Sequence, residues 1–281
     1  MDNYTDIQAE FKGHTAIIRL NRPDKLNAFT HHTLSEIRQA VDEAVKNSNV
    51  TGIVITGNGR GFCSGLDSGS LAEVTHREPD SPEFDTPDNE LPGIFSYLLS
   101  VPKPVITAIN GVAAGGGLIL ALMSDIRIAS DQASFITVFL RRGLIAEHGS
   151  SWILPRLVGT GRALDLLWAS EKIDAETAIK LGLVDKLVES DQLLDYACQY
   201  VERLSETVPP KAMAETKRLV YRHLGVTYTE ALHEANESQN RFVIAPDAVE
   251  GAKALLEKRS PVFSPLYDDK LPATQENLKN E

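Results

Sequence analysis

The chain has 281 residues, of which 42% are hydrophobic, and this is enough to bury a large core in one domain or in one domain with a small appendage. Its net charge of −11 argues against nucleic acid as the main partner, and no apolar run approaches the roughly 18–20 residues that span a bilayer. Residues 1–12 are polar and acidic, unlike a secretory signal, and the two cysteines, Cys63 and Cys198, indicate a reducing compartment without disulfides, so we expect a cytoplasmic protein.

Strand and helix patterns alternate through the first half of the chain. An apolar stretch at residues 15–20 predicts a strand that a proline turn at residues 21–23 ends, and residues 33–45 carry apolar side chains at the spacing of one helix face. Val and Ile then predominate at residues 53–56 and 105–109, which predicts two buried strands. This alternation predicts an α/β fold.

The stretch at residues 103–130 carries the strongest local signal. Its predicted strand is followed by a turn at Asn110-Gly111, then by three glycines, Gly115 to Gly117, and then by good helix formers. Glycines at a helix start let a ligand approach the backbone and leave N–H groups free at the positive end of the helix dipole. The stretch therefore predicts a binding point for a small oxyanion, although such glycines also serve simply to pack a helix closely on a sheet.

A second glycine-rich junction supports the functional interpretation. It follows the strand predicted at residues 52–57 and reads Gly-Arg-Gly-Phe-Cys-Ser-Gly-Leu-Asp at residues 59–67. Two strand-to-turn junctions of this kind can each supply one backbone N–H to a shared point.

These junctions and several other stretches resemble the crotonase (enoyl-CoA hydratase/isomerase) superfamily. The matching pieces lie in the family's order and span nearly the whole chain: residues 21–28, 61–67, 102–104, 110–111, 115–117, 154–159, 175–184 and 257–263. The resemblance implies a spiral of ββα repeats that binds an acyl-CoA and stabilises a thioester enolate. Coenzyme A is then part of the substrate, and neither a separate cofactor nor a metal is expected.

The resemblance also implies roles for individual residues. Leu66 and Gly116 each supply one oxyanion N–H. Acyl-CoA binding is implied for five positions: Lys25, Ala28, Ser64, Asp67 and Phe263. Asp67 has an equally sound interpretation as a carboxylate that caps the following turn, and Lys25 as a solvated loop charge.

Ordinary enoyl-CoA hydratases use two glutamates, and neither is present here. The first would follow the middle glycine of the triple-glycine run by three residues, which is Ile119. The second falls at Phe139, between Phe135 and Gly143. Standard two-glutamate hydration is therefore disfavoured, and we expect an unusually apolar pocket that suits a bulky or branched acyl chain.

Glu147 remains as the candidate catalytic carboxylate. Its position just before His148 matches an aspartate used in the dienoyl-CoA isomerase branch of the family. Apolar Leu144, Ile145 and Trp152 are expected to surround it, which favours a carboxylate suited to proton transfer. A carboxylate at a helix start also complements the helix dipole, which is a common structural arrangement.

One carboxylate can move one proton between Cγ and Cα, so double-bond isomerisation is favoured over standard hydration. Three alternatives stay open: an enoyl-CoA hydratase by a variant route, an acyl-CoA thioester hydrolase with Ser64 or Ser150 near His148, and a CoA-binding protein without catalysis. No nucleophile-elbow motif supports the hydrolase.

The strand signal ends before residue 190. The C-terminal region predicts four amphipathic helices, at about residues 191–205, 210–223, 227–244 and 247–259. We therefore divide the chain into a crotonase-like spiral core with the acyl-CoA site at residues 1–189 and a C-terminal helical region at residues 190–281. The resemblance implies that this region packs on neighbouring subunits in a homotrimer or a dimer of trimers.

Residues 68–92 are acidic, rich in proline and without periodicity, which predicts a mobile loop. Their position directly after the first glycine-rich junction predicts a lid over the acyl pocket. His76 within this stretch is interpreted as a solvent-exposed histidine.

Overall fold

The structure is a computed structural model that describes residues 4–69 and 91–267. The structural statements that follow concern those residues. Nearly all of the predicted lid at residues 68–92, with His76, lies outside them.

The described strands form two sheets. Their bounds are β1 (Ile7–Lys12), β2 (Thr15–Leu20), β3 (Gly52–Gly57), β4 (Gly61–Cys63), β5 (Val105–Ile109), β6 (Val112–Ala114), β7 (Ile126–Ser130), β8 (Ser134–Ile136), β9 (Ile173–Asp174) and β10 (Lys186–Val188). The larger sheet has the order β1-β2-β3-β5-β7-β10 and the smaller one the order β4-β6-β8-β9. Neighbouring strands pair parallel, apart from β1 with β2 and β8 with β9.

Successive strands alternate between the two sheets. β3, β5 and β7 enter the larger sheet, and the strand that follows each of them, β4, β6 or β8, enters the smaller one. The chain therefore winds as a spiral in which each turn adds one strand to each sheet. The predicted ββα spiral is confirmed.

The helices described are α1 (His31–Lys46), α2 (Gly116–Leu122), α3 (Ser150–Val158), α4 (Thr160–Ala169), α5 (Ala175–Leu181), α6 (Leu193–Thr207), α7 (Pro210–His223), α8 (Tyr228–Phe242) and α9 (Pro246–Glu257). The last four confirm the predicted C-terminal helices, with bounds that shift by a few residues. The division into two regions at residue 190 stays a prediction. No described helix is long and apolar enough to cross a membrane.

The smaller sheet determines where the predicted site lies. β4, β6 and β8 are parallel neighbours, so the loops that follow them leave the same edge. Leu66 and Phe139 lie in the segments that follow β4 and β8, and Gly116 begins α2 directly after the turn that follows β6. Ligand sites of parallel sheets commonly lie outside the carboxyl ends of the strands, and the spiral brings the three predicted positions to such an edge.

A polar cluster docks α7 on the spiral core of the same chain. Lys217 Nζ donates to Asp125 Oδ2 at 2.7 Å and to the Leu98 carbonyl at 2.9 Å. The Tyr221 hydroxyl donates to Asp125 Oδ1 at 2.9 Å, and the Val105 N–H donates to Asp125 Oδ2 at 2.7 Å. Since the Lys217 and Asp125 side chains are only 10% and 17% exposed, this pair is largely removed from solvent.

Candidate active site

The Leu66 amide lies in a loop whose direction is fixed by Phe29. The Phe29 N–H donates to the Gly65 carbonyl at 2.8 Å, and the Asp67 N–H donates to the Phe29 carbonyl at 2.9 Å. This pairing makes Phe29 and Leu66 partners in a parallel bridge. Because successive N–H groups of an extended chain point to opposite sides, the Leu66 N–H points away from Phe29.

The Gly116 amide lies in the first turn of α2. Gly115 precedes it with a left-handed φ of +50°, and the Ile119 N–H donates to the Gly115 carbonyl at 3.1 Å. The first N–H groups of a helix have no acceptor within the helix. Among the backbone hydrogen bonds of the described residues, neither the Gly116 N–H nor the Leu66 N–H is a donor, so both N–H groups can donate to a ligand.

The two loops touch at Gly65. A Cβ built on Gly65 would lie 2.9 Å from the Ala114 carbonyl oxygen and 3.2 Å from the Gly116 nitrogen, and Gly65 has a φ of +95°. Glycine is the residue that tolerates both this approach and this φ. The Gly116 nitrogen therefore lies against the residue that immediately precedes Leu66.

Apolar side chains occupy the two positions at which the two-glutamate route needs carboxylates. Ile119 is completely buried, Phe139 is 5% exposed, and both belong to the main hydrophobic core. Val138 has a φ of +53°, a rare conformation for a β-branched residue, and its Cγ2 lies 3.0 Å from a Cβ built on Gly115. Ile119 and Phe139 supply no group for proton transfer.

Glu147 lies in the turn directly before α3, as predicted. Its carbonyl accepts a hydrogen bond from the Ser150 N–H at 2.9 Å, and its carboxylate lies 4.0 Å from His148 Nε2. The Glu147 side chain is 27% exposed. Of the expected apolar neighbours, Leu144 is 39% exposed and Ile145 is 77% exposed, so these two give the carboxylate less shelter than the sequence predicted.

A short segment connects the Glu147 turn to the Gly116 amide. A Cβ built on Gly93 would lie 3.7 Å from His148 Cα, and the next residue, Ile94, has its Cδ1 at 3.7 Å from a Cβ built on Gly116. Residues 93 and 94 therefore touch the turn with the candidate base on one side and the start of α2 on the other.

A cavity of about 1020 Å³ opens beside the same turn. Trp152 of α3 and Gly149 just before that helix line it, together with Met123 just after α2 and Phe242 of α8. Because an α-helix rises by 1.5 Å per residue, the Met123 end of α2 lies roughly 10 Å from Gly116. The C-terminal helices, predicted to pack on neighbouring subunits, thus also form a wall of this cavity in their own chain.

The predicted CoA-binding turn lies next to the Leu66 loop. The Ser64 N–H donates to the Leu26 carbonyl at 3.0 Å, and the Ser64 hydroxyl donates to the Lys25 carbonyl at 3.2 Å. The Lys25 side chain is exposed, whereas Ala28 is buried. The structure therefore brings Lys25, Ala28 and Ser64 together with the two amides.

Asp67 caps a turn and pairs with an arginine. Its Oδ1 accepts the Gly69 N–H at 3.0 Å, and its Oδ2 lies 3.2 Å from an Arg22 nitrogen. The Gly69 N–H and the Arg22 guanidinium hold the pKa of the Asp67 carboxyl below its usual value. The capping interpretation is confirmed, and the acyl-CoA contact stays a prediction. Arg22 was missed because a sequence does not show which carboxylate an arginine reaches.

Phe263 lies on the C-terminal helices. Its ring is 3.7 Å from a Cβ built on Gly251 of α9, and the adjacent Ser264 N–H donates to Asp247 Oδ1 at 2.9 Å. The predicted contact of Phe263 with CoA, which in this family sometimes crosses a subunit boundary, stays a prediction.

Nucleophilic catalysis finds little support. The buried Ser150 hydroxyl has no hydrogen-bond partner among the described residues, and the Ser64 hydroxyl bonds to a carbonyl, so neither is paired with His148 as a Ser–His nucleophile requires. Burial raises the pKa of the Cys63 thiol to about 12, which leaves it protonated and unreactive at neutral pH. In the described part of the chain no group of three or more His, Cys, Asp or Glu residues could hold a metal ion.

Comparison with known proteins identifies the family. The sequence pattern of enoyl-CoA hydratase/isomerase matches residues 10–265. The chain belongs to this family. A probable enoyl-CoA hydratase of Mycobacterium tuberculosis is 35% identical over 254 residues, which cover 89% of each chain. The 1,2-epoxyphenylacetyl-CoA isomerase of Escherichia coli is 33% identical over 252 residues, 88% of this chain and 94% of the relative.

Solved structures agree with this membership. The crystal structure of an enoyl-CoA hydratase/isomerase from Mycobacterium paratuberculosis aligns with a TM-score of 0.83 at 34% identity, covering 93% of this chain and 99% of that one. The chain therefore has the α/β crotonase fold, with two mixed sheets and C-terminal helices. It is an acyl-CoA-processing enzyme of the enoyl-CoA hydratase/isomerase family.

Proposed function

We propose that this enzyme moves a double bond along the acyl chain of a CoA thioester. The proposal rests mainly on one observation. The N–H groups of Leu66 and Gly116 donate no backbone hydrogen bond among the described residues, and their segments touch each other. Residues 93 and 94 connect them to the turn that carries Glu147. Apolar Ile119 and Phe139 replace the charged pair of the two-glutamate route. These features support isomerisation over standard hydration.

The chemistry needs one base and two donors. With a 3-enoyl-CoA, Glu147 removes a proton from Cα, and the electron pair spreads into the thioester carbonyl, whose oxygen accepts hydrogen bonds from the Leu66 and Gly116 N–H groups. The protonated Glu147 then returns the proton at Cγ, and the double bond comes to lie between Cα and Cβ. No atom is gained or lost.

The CoA moiety is assigned to the turn beside the amides. The exposed Lys25 ammonium attracts the phosphates on a protein whose overall net charge is −11. Ala28, Ser64 and Asp67 line the path to the thioester, and Phe263 contacts CoA, from the same chain or from a neighbouring subunit.

The cavity beside Gly149 is proposed as the chamber for the end of the acyl chain, which would lie along its apolar side, lined by Leu99, Met123 and Trp152, opposite the charged residues of α7. An extended chain advances by about 1.2 Å per bond, judged from the span of an extended polypeptide. About eight carbons therefore cover the roughly 10 Å between Gly116 and Met123. The cavity volume favours long or bulky acyl groups over crotonyl-CoA.

Exposed apolar residues on the C-terminal helices support a homotrimer or a dimer of trimers. They include Val243, Ile244, Val249, Leu255 and Leu256, all more than 60% exposed. Clusters of exposed apolar side chains mark protein contacts. Sedimentation velocity should give a species of three or six chains, and a monomer at micromolar concentration would contradict the proposal.

An isotope experiment tests the reaction. The protein is incubated in deuterated water with 2-enoyl-, 3-enoyl- and dienoyl-CoAs of increasing chain length, and the products are analysed by mass spectrometry and by NMR for the position of the double bond. A moved double bond without the mass of water is expected, with the highest kcat/KM for the longer chains, and the deuterium content shows how far the proton on Glu147 exchanges with solvent. An unmoved double bond in every substrate would contradict isomerisation.

Glu147→Gln should lower turnover by about 10²–10⁴-fold and leave acyl-CoA binding nearly intact. The matched control is Glu176→Gln, which changes a carboxylate that is 74% exposed on α5. Full activity of the Glu147→Gln enzyme would place the base elsewhere.

Hydration by a variant route is the second candidate. It is favoured by the names of relatives such as the Mycobacterium tuberculosis protein, which is called a probable enoyl-CoA hydratase. The same isotope experiment separates the two reactions, because hydration adds the mass of water to the product.

A further inference from the structure

Arg22 bonds to two chain segments that meet at the Leu66 amide, one at Ala28 and one at Asp67. It lies two residues after the end of β2, and its side chain is 22% exposed. Its Nη1 donates to the Ala28 carbonyl at 2.5 Å, and its Nη2 lies 3.2 Å from Asp67 Oδ2. Its Nε lies 3.8 Å from a carboxylate oxygen of Asp6. One guanidinium therefore touches three separate segments.

These partners adjoin the Leu66 bridge. Ala28 immediately precedes Phe29, whose N–H and carbonyl hold Gly65 and Asp67. Asp67 immediately follows Leu66. Arg22 therefore contacts the chain one residue before Phe29 and one residue after Leu66, at both sides of the bridge that orients the Leu66 N–H.

The planar guanidinium suits this task. Arginine presents several N–H donors in a fixed fork, so it can bond a carbonyl and a carboxylate at once with a set angle between them. A lysine ammonium provides the charge without the fixed geometry. The third partner, Asp6, accepts a hydrogen bond from the Thr33 hydroxyl at 2.5 Å, which ties the same cluster to the start of α1.

We propose that Arg22 is a positioning residue that aims the Leu66 N–H at the thioester oxygen by clamping Ala28 and Asp67. This rests on the proposed function of the Leu66–Gly116 pair. Arg22 itself does not touch the reacting atoms. A small misplacement of a catalytic donor costs about 10²-fold in rate even when the mutated residue is far from the chemistry.

The test compares Arg22→Met with Arg19→Met. Arg19 is a matched control because its side chain is also 22% exposed and also paired with a carboxylate, that of Glu10, but on β1 and β2 away from the loops. Arg22→Met should lower kcat by about tenfold to a hundredfold with less than a threefold change in KM. Arg19→Met should leave both constants unchanged.

An enolisable 3-ketoacyl-CoA provides a readout that needs no turnover. Two donors on its thioester oxygen promote the enolate, whose ultraviolet absorbance is measured on binding. Binding to the wild-type enzyme or to Arg19→Met should raise this absorbance. Arg22→Met should also bind the compound, but the rise in absorbance should be at least fivefold smaller. Arg22→Lys should lie between them, and it replaces Arg22→Met if that variant does not fold.

The outcomes separate the two proposals. If wild type isomerises no acyl-CoA but still forms the enolate, the proposed reaction fails and the Arg22 comparison stands on the absorbance. Equal enolate signals in wild type and in both Arg22 variants would overturn the positioning role, and so would the lack of any enolate on the wild-type enzyme.

Discussion

Single glycines determine whether the two loops of the site can meet. Gly65 combines a left-handed φ with a carbonyl oxygen 2.9 Å from where a Cβ would lie. Gly117 has as little space for a side chain, since a Cβ built on it would clash with the Cys63 carbonyl oxygen. At both positions the clashing atoms belong to the backbone, so repacking of neighbouring side chains cannot make room for a residue larger than glycine.

Gly65→Ala should therefore destabilise the protein by about 1–3 kcal/mol and lower kcat by about 10²-fold, because the Cβ pushes Ala114 and Gly116 away from Leu66. The control is Gly143→Ala, since Gly143 has a φ of +74° with nothing within 4 Å of its Cβ position. It carries the backbone strain without the clash. Thermal unfolding and steady-state kinetics check both variants, and equal kinetics would contradict the role of the contact.

Lys103 predicts a pH dependence of stability. Its buried Nζ donates to the carbonyls of Ala44 and Asn47 at the end of α1, and burial lowers its pKa to about 8. The unfolded chain has a lysine pKa of about 10.4. Between these values the folded state binds fewer protons, so the contribution of Lys103 to the free energy of unfolding is largest above about pH 10.4 and is lost as the pH falls through about 8.

The measurement is the difference in unfolding free energy between wild type and Lys103→Met. It should shift in favour of wild type by about 1–2 kcal/mol between about pH 7 and about pH 9.5. Lys46→Met, an exposed lysine at the same helix end, should give a constant difference. A flat profile for Lys103→Met would contradict the lowered pKa.

At the scale of elements, α2 and α7 are held in place by different kinds of contact. α2 begins at Gly116 and is buried over nearly its whole length, so its start is fixed by the core. α7 instead lies over the spiral through a few polar contacts, in which Lys217 and Tyr221 converge on Asp125. We therefore expect the cavity wall formed by α7 and α8 to depend on that cluster.

Lys217→Met should lower the free energy of unfolding by about 2–4 kcal/mol, because Asp125 then keeps a largely buried charge without its cation. Hydrogen exchange should rise in α7 and α8 before it rises in α2. Lys211→Met changes an exposed lysine on the same helix and should have little effect. Equal exchange in both variants would show that the cluster does not hold α7.

The sequence predicted the long elements because their apolar spacing is a local property. The helix around residues 33–45, the strands at residues 52–57 and 105–109 and the C-terminal helices all formed. β1 was missed although Ile7, Ala9 and Phe11 alternate, because its remaining residues are polar and it lies at the sheet edge. The role of Arg22 and the cavity wall at Phe242 depend on contacts between distant segments, which spacing along the chain does not encode.

At the scale of the whole molecule, the spiral places the ends of successive turns at one edge. β4 and β6 are neighbours in the smaller sheet, and the proposed donors follow them directly. The candidate base comes from the next turn, after β8. The cavity then extends to α7 and α8, which begin more than ninety residues after Gly116 along the chain.

The proposed activating groups are peptide N–H groups, and this has an evolutionary consequence. A catalytic carboxylate is lost when a single residue is replaced, and in this chain isoleucine and phenylalanine stand at positions 119 and 139, where the two-glutamate route would need carboxylates. A main-chain donor survives most such changes, since every residue except proline carries one. In an enzyme of this architecture, substitutions can therefore replace the acid and base side chains and so change the reaction. The main-chain donors that stabilise the carbanion stay in place.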